Sequence, residues 1–446
     1  MHKLRILYQN RLHKCNTIHN ATQSIMQHNP SLPVDPDRLL AIAQKWGTPT
    51  YVYMESMIRE RCQMLKRLFP DLPVSWLYAV KANDNPHIIR IISGEGFGFD
   101  TVSYEEVLLC LKLGTGPKQI FYTENNMTDA EMQGAAKEGV TLNIGSLGRL
   151  RAFCEAYPGS ECSIRIKPDI SDGHHAKVDT GNQDSKFGIR LDLIPEAVRV
   201  AGEHGVRIRG IHAHIGSGIQ EPENILAEIE VLLKSSAGLD DLAFINFGGG
   251  IPIPYRHDET PFDLDRFAHL ASKRLKAFLE ANNRPVSFFF EPGRWIVGPA
   301  GILLTQVNTV KDQGRKLFLG TDTGFNHLLR PALYEAYHEV VNISADAHGT
   351  SQTYHIAGNI CESGDMLGLD RALPESKPGD YLAIRDTGAY GMTMASQYNR
   401  RALPAEVLIT AEGYHKTIRS RKTPAETVND LLKETGLAAA QKSETS

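Results

Sequence analysis

No stretch of this 446-residue sequence is apolar for long enough to cross a bilayer as a helix, so a helical membrane protein is excluded. A basic stripe with interleaved aromatics is also missing. The net charge of -4 gives no long-range pull toward nucleic acid. The six cysteines (Cys15, Cys62, Cys110, Cys154, Cys162 and Cys361) form no CxxC pair and no zinc spacing, which argues against a metal module and fits a reducing cytoplasm. Cys62, Cys110 and Cys154 sit in helical-looking stretches, where buried structural thiols are expected. Acidic side chains are absent before Asp35, whereas Lys3, Arg5, Arg11 and Lys14 are basic. A leader of this kind reads either as an organelle transit segment or as an over-long start with Met26 as the true beginning. It lacks the apolar core of a secretory signal. Residues 1–33 are therefore set aside from the fold.

What is present is ordinary for a soluble globular chain: 41% hydrophobic and 22% charged residues, at a length that suits two packed units. From Leu72 to Gly298 short apolar runs alternate with helical patterns. The runs are Val74–Val80, Phe97–Val102, Gln119–Tyr122, Val140–Ile144, Cys162–Ile166, Ile208–His214, Ala243–Phe247 and Val286–Phe290. Between them lie amphipathic stretches such as Tyr104–Leu113, Asp129–Glu138, Leu147–Ala156, Ile194–His204 and Leu264–Ala281. Eight such units predict a (β/α)8 barrel, whose active site lies at the C-terminal ends of the strands.

The residues at those ends are Lys81, Asp100, Glu124, Asn143, Arg165, His214, Gly248–Gly250 and Glu291, so each apolar run finishes on a charged, polar or glycine residue. After Pro299 the texture changes. Ile302–Val310, Lys316–Gly320, Val340–Ser344, Thr353–Ile356, Tyr381–Ile384 and Ala405–Ile409 predict a β domain, which Thr50–Tyr53 joins from before the barrel. The expected division is a barrel over 58–297, a β domain over 34–57 and 298–437, and a disordered tail over 438–446. Thr423, Pro424 and Glu426 mark the capped start of a last helix, and Gly436 its stop.

Individual motifs narrow the chemistry. Lys81, in Tyr78-Ala79-Val80-Lys81-Ala82-Asn83, closes the first barrel run. A lysine held among barrel walls has a lowered pKa and can condense with an aldehyde; a surface lysine at a loop mouth is the competing reading. His212 and His214 alternate onto one face. A metal reading would join them to His174 or His175, yet no carboxylate stands at a familiar spacing. A flat imidazole against an aromatic cofactor ring, beside Ser217 and neighbouring glycine amides, fits better. Gly248-Gly249-Gly250 follows the seventh run, where barrels commonly bind phosphate; the other reading is a tight turn. The stretch Gly94–Phe99 fails as a dinucleotide loop because it leads into a strand. Glu291, in Glu291-Pro292-Gly293-Arg294, would keep a pyridine nitrogen protonated and make the ring a strong electron sink, which favours decarboxylation over racemisation. A Glu291–Arg294 ion pair is the structural alternative. Cys361, in Cys361-Glu362-Ser363-Gly364-Asp365, offers a thiol as proton donor. Arg330 and Tyr334, with Tyr390 further on, add a guanidinium and two phenols.

In this order YAVKAN, TGNQDSKFGI (Thr180–Ile189), HIGSG, FGGG, EPGR, RPALYEAYH, CESGD and GAYG resemble the diaminopimelate decarboxylases, pyridoxal enzymes of the alanine-racemase fold. The likeness runs from about Pro33 to Leu437. It implies a barrel plus a C-terminal β domain, pyridoxal 5'-phosphate as cofactor, and conversion of meso-diaminopimelate to L-lysine and carbon dioxide. By the resemblance, Lys81 carries the cofactor, His214 stacks on its ring and Glu291 faces the ring nitrogen. Ser217, Gly248, Gly249, Gly250, Arg294 and Tyr390 surround the rest of the cofactor. Arg294, Arg330, Tyr334, Glu362 and Tyr390 hold substrate, and Cys361 donates the proton. The resemblance also implies a homodimer in which the Cys361–Glu362 turn reaches the partner's site. A distal ammonium and carboxylate on the substrate would suit a glutamate plus a bidentate arginine, and Glu362 and Arg330 favour diaminopimelate over ornithine-type substrates. Two departures stand out. Gly358-Asn359 replaces Gly-Pro before the cysteine, and Arg400-Arg401-Ala402 replaces Ser-Arg-Pro after Tyr398-Asn399. They keep open a related decarboxylase or racemase acting on another diamino acid.

Overall fold

The computed structural model describes residues 32–169, 185–282, 284–345 and 350–437. Two sheets organise them. Strand β1 (Thr50–Met54) precedes the first barrel strand, β2 (Val74–Ala79). The barrel continues through β3 (Gly98–Thr101), β4 (Ile120–Thr123), β5 (Thr141–Ile144) and β6 (Glu161–Lys167). A two-residue strand, β7 (Ile189–Arg190), extends the end of β6. The remaining barrel strands are β8 (Arg207–His212), β9 (Phe244–Asn246) and β10 (Ser287–Phe290). β2 pairs with both β3 and β10, and β5 pairs with β6, so eight parallel strands close on themselves. The eight predicted barrel strands are all present, shorter at several ends. The sixth stops at His212 rather than His214, which leaves His214 on the loop.

Local chemistry explains the helices that wrap this barrel. Leu264–Ala281 buries Leu264, Phe267, Ala268, Ala271 and Leu275, a stripe at helical spacing, and Asp263 caps its first turn by accepting from the Arg266 N–H. Pro222 opens Pro222–Ser235, where its missing N–H costs nothing, and Ile225, Leu226, Ile229 and Leu232 face inward. Thr128 and Glu131 form a reciprocal capping box on Asp129–Glu138. Phe290 packs at a tilt against Phe247 (5.2 Å between ring centroids) and Trp76 (5.4 Å), and Phe267 meets it edge-on. Each such ring contributes about 2 kcal/mol through burial, so strand and helix are locked in register.

The second sheet is mixed and has nine strands. Its path runs β15 (Met366–Pro374), β14 (Ser351–Ala357), β12 (Leu317–Thr321), β11 (Gly301–Asp312), β1, β17 (Ala405–Ile409) and β18 (His415–Arg419). β16 (Tyr381–Ile384) pairs with β11 and with β13 (Val340–Asn342). β1 runs antiparallel to β11 and parallel to β17. The sheet holds all seven strands expected from the sequence, and it adds β15 and β18. β15 escapes the alternation rule because Gly368, positive-φ Asp370 and Arg371 interrupt its apolar pattern. β18 is a polar edge strand (His-Lys-Thr-Ile-Arg) with little apolar content. The final helix, Pro424–Glu434, starts with the predicted Thr423–Glu426 box.

The seam between the sheets runs past Lys81. The Tyr390 N–H donates to the Ala82 carbonyl at 2.8 Å, and Asn83 Nδ2 donates to the Gly388 carbonyl at 2.9 Å. Tyr390 takes a left-handed conformation (φ 57°) that turns the chain at this point. Cys62, Cys110 and Cys154 are buried as expected, as is Cys162; Cys361 is exposed. Cys15, Met26, His174, His175 and residues 180–184 of the predicted TGNQDSKFGI motif lie outside the described residues.

Candidate active site

A cavity of about 400 Å³ opens at the C-terminal end of the barrel, where the mixed sheet closes over it. Its wall includes Lys81, His214, Ser217, Glu291, Arg294, Arg330, Tyr334 and Tyr390 among the predicted site residues. Asp100, Arg165 and His212 complete the barrel side. Two other strand-tip residues turn elsewhere. Asn143 is buried and donates to Thr123 Oγ1 at 3.2 Å, and Glu124 lines a neighbouring cavity.

Lys81 sits on a 3-10 turn (Val80–Ala82) directly after β2, and its side chain is one-third exposed, into the cavity. Its ammonium pairs with Asp100 Oδ2. Burial alone would lower the lysine pKa, but the charges of Asp100 and Glu291 outweigh it and raise the value above the ordinary one. This corrects the expectation of a depressed lysine pKa: the barrel wall is anionic rather than apolar. Asp100 itself is lifted by burial and by Glu291, against the pull of Lys81.

Glu291 stands one residue past β10, buried. Its Oε1 accepts from Asn246 Nδ2 at 2.7 Å, and its Oε2 lies 3.3 Å from His212 Nε2. Burial raises the carboxyl above the usual range, opposed by the charge of Lys81 and the hydrogen bond from Asn246. Arg294 does not pair with Glu291. It donates from Nη2 to Ser217 Oγ at 3.0 Å and from Nη1 to the Tyr255 hydroxyl at 2.7 Å, which removes the ion-pair alternative for the EPGR motif. Asn246 Oδ1 accepts from the Gly248 N–H at 3.0 Å, so one amide ties the glycine turn to the acidic tip.

The glycine triplet is required by geometry. Gly248 has φ 61°, and a β-carbon there would fall 2.5 Å from the Ala213 carbonyl oxygen; at Gly249 it would fall 2.4 Å from that of Glu291. The Gly249 N–H donates to His214 Nδ1 at 3.2 Å, which fixes the imidazole at the cavity edge. Burial and then the charge of Arg165 push both His212 and His214 well below the ordinary histidine pKa, so both rings are neutral near pH 7. Among the described residues no group of three His, Cys, Asp or Glu could hold a metal.

Arg330 opens a five-residue helix (Arg330–Tyr334) and is only 2% exposed. Its Nη1 lies 2.8 Å from His338 Nε2, and its guanidinium stacks 4.6 Å from the Tyr255 ring centroid. Cys361 and Glu362 lie outside this cavity in the chain. Cys361 Sγ accepts from Asn399 Nδ2 at 3.2 Å, and the Tyr398 hydroxyl donates to Glu362 Oε1 at 2.6 Å. The departures noted above belong to the same platform: Asn359 Nδ2 donates to the Asp322 carbonyl at 2.8 Å, and Arg401 Nη2 to the Asn359 carbonyl at 3.1 Å.

Sequence reasoning misses Asn246, Tyr255 and His338. A polar residue closing the short β9 strand just before the glycines is the one available signal for Asn246. His338 closes the RPALYEAYH stretch, but nothing in that string gives it a role, and Tyr255 carries no signal, because both act through contacts across the fold.

The donor set fits a pyridoxal phosphate. A primary amine, a buried carboxylate and a neutral imidazole face one cavity, with a serine–arginine pair beside a glycine turn. Asp100 Oδ1 and His212 Nδ1 are buried there without hydrogen-bond partners.

The comparisons with known proteins agree. Residues 55–298 match the family model of the pyridoxal-dependent decarboxylase, pyridoxal binding domain. The chain is 42% identical over 402 residues to a diaminopimelate decarboxylase of Methanothermobacter thermautotrophicus, covering 88% of this chain and 92% of that protein. It is 36% identical to that of Aquifex aeolicus, over 86% of this chain and 91% of that protein. The crystal structure of diaminopimelate decarboxylase from Helicobacter pylori complexed with L-lysine superposes with a TM-score of 0.81 at 31% identity, covering 90% of this chain and all of that one. A barrel closed around such a donor set, with relatives this similar over nearly its whole described length, makes the chain a member of the diaminopimelate decarboxylase family of pyridoxal-dependent decarboxylases.

Proposed function

We propose that the protein decarboxylates meso-2,6-diaminopimelate to L-lysine and carbon dioxide. The observation that carries the substrate is Arg330: a buried guanidinium in the wall shared with Lys81 and Glu291 suits an amino acid bearing a second carboxylate. Lys81 would hold the cofactor aldehyde. His214 would stand beside the ring, and the Ser217 hydroxyl, Arg294 and the turn of Gly248, Gly249 and Gly250 would border the phosphate, with Tyr390 at its side; the Gly248 and Gly249 N–H groups are already given to Asn246 and His214. When bound, pyridoxal phosphate supplies the sink for the electron pair released as carbon dioxide departs.

The protein's own groups set the outcome. Glu291, held by Asn246 and His212, would face the ring nitrogen and keep a proton there; the Asn246 hydrogen bond and the charge of Lys81 support its carboxylate form against the burial that raises its pKa. Asp100 holds the Lys81 ammonium in position. Arg294, Arg330, Tyr334 and Tyr390 orient the substrate from this chain. Glu362 orients it and Cys361 delivers the proton to the α-carbon from the partner of a homodimer, which accounts for their exposure outside the cavity of their own chain. The segments 34–57 and 298–437 act together as the domain that presents this turn. We place the enzyme in the cytoplasm; no described helix is long and apolar enough to cross a membrane.

The test is carbon dioxide release by the purified holoenzyme from meso-diaminopimelate, lysine, ornithine and arginine. Preference for diaminopimelate supports the proposal, and turnover of another amino acid alone overturns the substrate while keeping the chemistry.

A further inference from the structure

We infer that His338 is a positioning residue for substrate: as a neutral hydrogen-bond acceptor it fixes Arg330 and leaves that guanidinium's charge uncompensated for the distal carboxylate of the bound amino acid. The inference rests on the reading of Arg330 given above.

His338 is fully buried, and its two ring nitrogens meet different partners. Nδ1 lies 2.8 Å from the Arg385 carbonyl oxygen, which can only accept, so Nδ1 carries the hydrogen. Nε2 therefore presents a lone pair, and Arg330 Nη1 donates into it at 2.8 Å. The backbone carbonyl thus sets the tautomer that the arginine needs. Burial and then the Arg330 charge hold the ring well below the ordinary histidine pKa, so it stays neutral beside the cation. Tyr255 completes the clamp, with its ring edge-on to His338 at 5.2 Å and under the Arg330 guanidinium at 4.6 Å.

Buried arginines are usually matched by a carboxylate. Arg330 is held by an imidazole and an aromatic face instead. Asp386 feels its charge only behind those of Arg385 and Arg61. A carboxylate at position 338 would hold the arginine more strongly, yet it would cancel the charge that recognises the ligand. The neutral acceptor orients without neutralising.

Three substitutions separate these effects. His338→Gln places an amide where Nε2 stands and keeps an acceptor for Arg330. His338→Asn reaches only the Nδ1 position and keeps the Arg385 link alone. His338→Glu supplies an ion pair. Dissociation constants of the holoenzyme are measured by calorimetry for L-lysine and for cadaverine, the same diamine chain without a carboxylate. We expect His338→Gln to bind both ligands within about threefold of the wild type, and His338→Asn and His338→Glu to lose L-lysine affinity by roughly tenfold or more while cadaverine affinity holds. KM for meso-diaminopimelate should rise in parallel with little change in kcat. Wild-type L-lysine affinity in His338→Glu, or equal losses for both ligands, would overturn the inference. If His338→Glu fails to fold, the Gln and Asn pair reads the same split; failure of all three assigns His338 to the scaffold and also overturns it. The wild type separates the two readings, since absence of diaminopimelate turnover there counts against the proposed function, whereas normal turnover with no ligand split counts against His338 alone.

Discussion

Asn246 donates to Glu291 at 2.7 Å while accepting from the Gly248 N–H, so the acidic tip of β10 is aimed by the strand beside it. Glu291→Gln preserves shape and this bond's reach but weakens the grip on a ring proton. It should retain cofactor and lower kcat by about 100-fold or more. Asn246→Ala should cost about tenfold, and the double variant should be no slower than Glu291→Gln alone, since both act through one carboxylate. Steady-state carbon dioxide release, normalised to bound cofactor, checks the set.

Lys81→Ala removes the amine that pairs with Asp100. The purified variant should lack the visible absorbance of enzyme-bound pyridoxal phosphate. A wild-type spectrum would show that another amine holds the aldehyde.

Cys361→Ala should keep the cofactor spectrum and slow turnover by about 100-fold. Because Cys361 and Lys81 would meet only across a dimer, mixing the two inactive variants should regenerate one intact site in each mixed dimer. That restores about one quarter of wild-type activity at equal ratios. No recovery after subunit exchange would place the thiol outside the partner's site.

His327 gives a pH signature of stability. It is buried, with Nδ1 3.0 Å from Thr323 Oγ1, and burial lowers its pKa to about 4 from the ordinary 6.5. The folded state therefore binds this proton less readily than the unfolded one. The stability it supports is present above about pH 6.5 and is lost as pH falls toward 4. His327→Gln should shrink the difference in unfolding free energy between pH 7 and pH 4.5 by about 2 kcal/mol. Denaturant titrations at the two pH values measure it.

The barrel was legible because eight apolar runs each end on a residue that has no place in a core, and Lys81, His214 and Glu291 announce themselves that way. The mixed sheet was legible only where its strands are apolar. β18 is polar along an edge, and the Gly368-Leu369-Asp370 stretch of β15 carries a left-handed residue. The site's supporting residues were harder. Tyr255 touches Arg294 and Arg330, residues 39 and 75 positions away, and no spacing in one dimension encodes that meeting. The sign of the Lys81 shift likewise depends on Asp100 and Glu291 arriving from other strands.

Strand β1 lies in the interior of the mixed sheet, between β11 and β17, although its partners are made some 250 and 355 residues later. During synthesis from the N-terminus this segment therefore has no sheet partner until β11 has been made, and its second edge stays open until β17 follows about a hundred residues later. The barrel has all eight of its strands much earlier. The barrel strands are thus all made before the sheet that closes over them, which is completed only with β17 and β18.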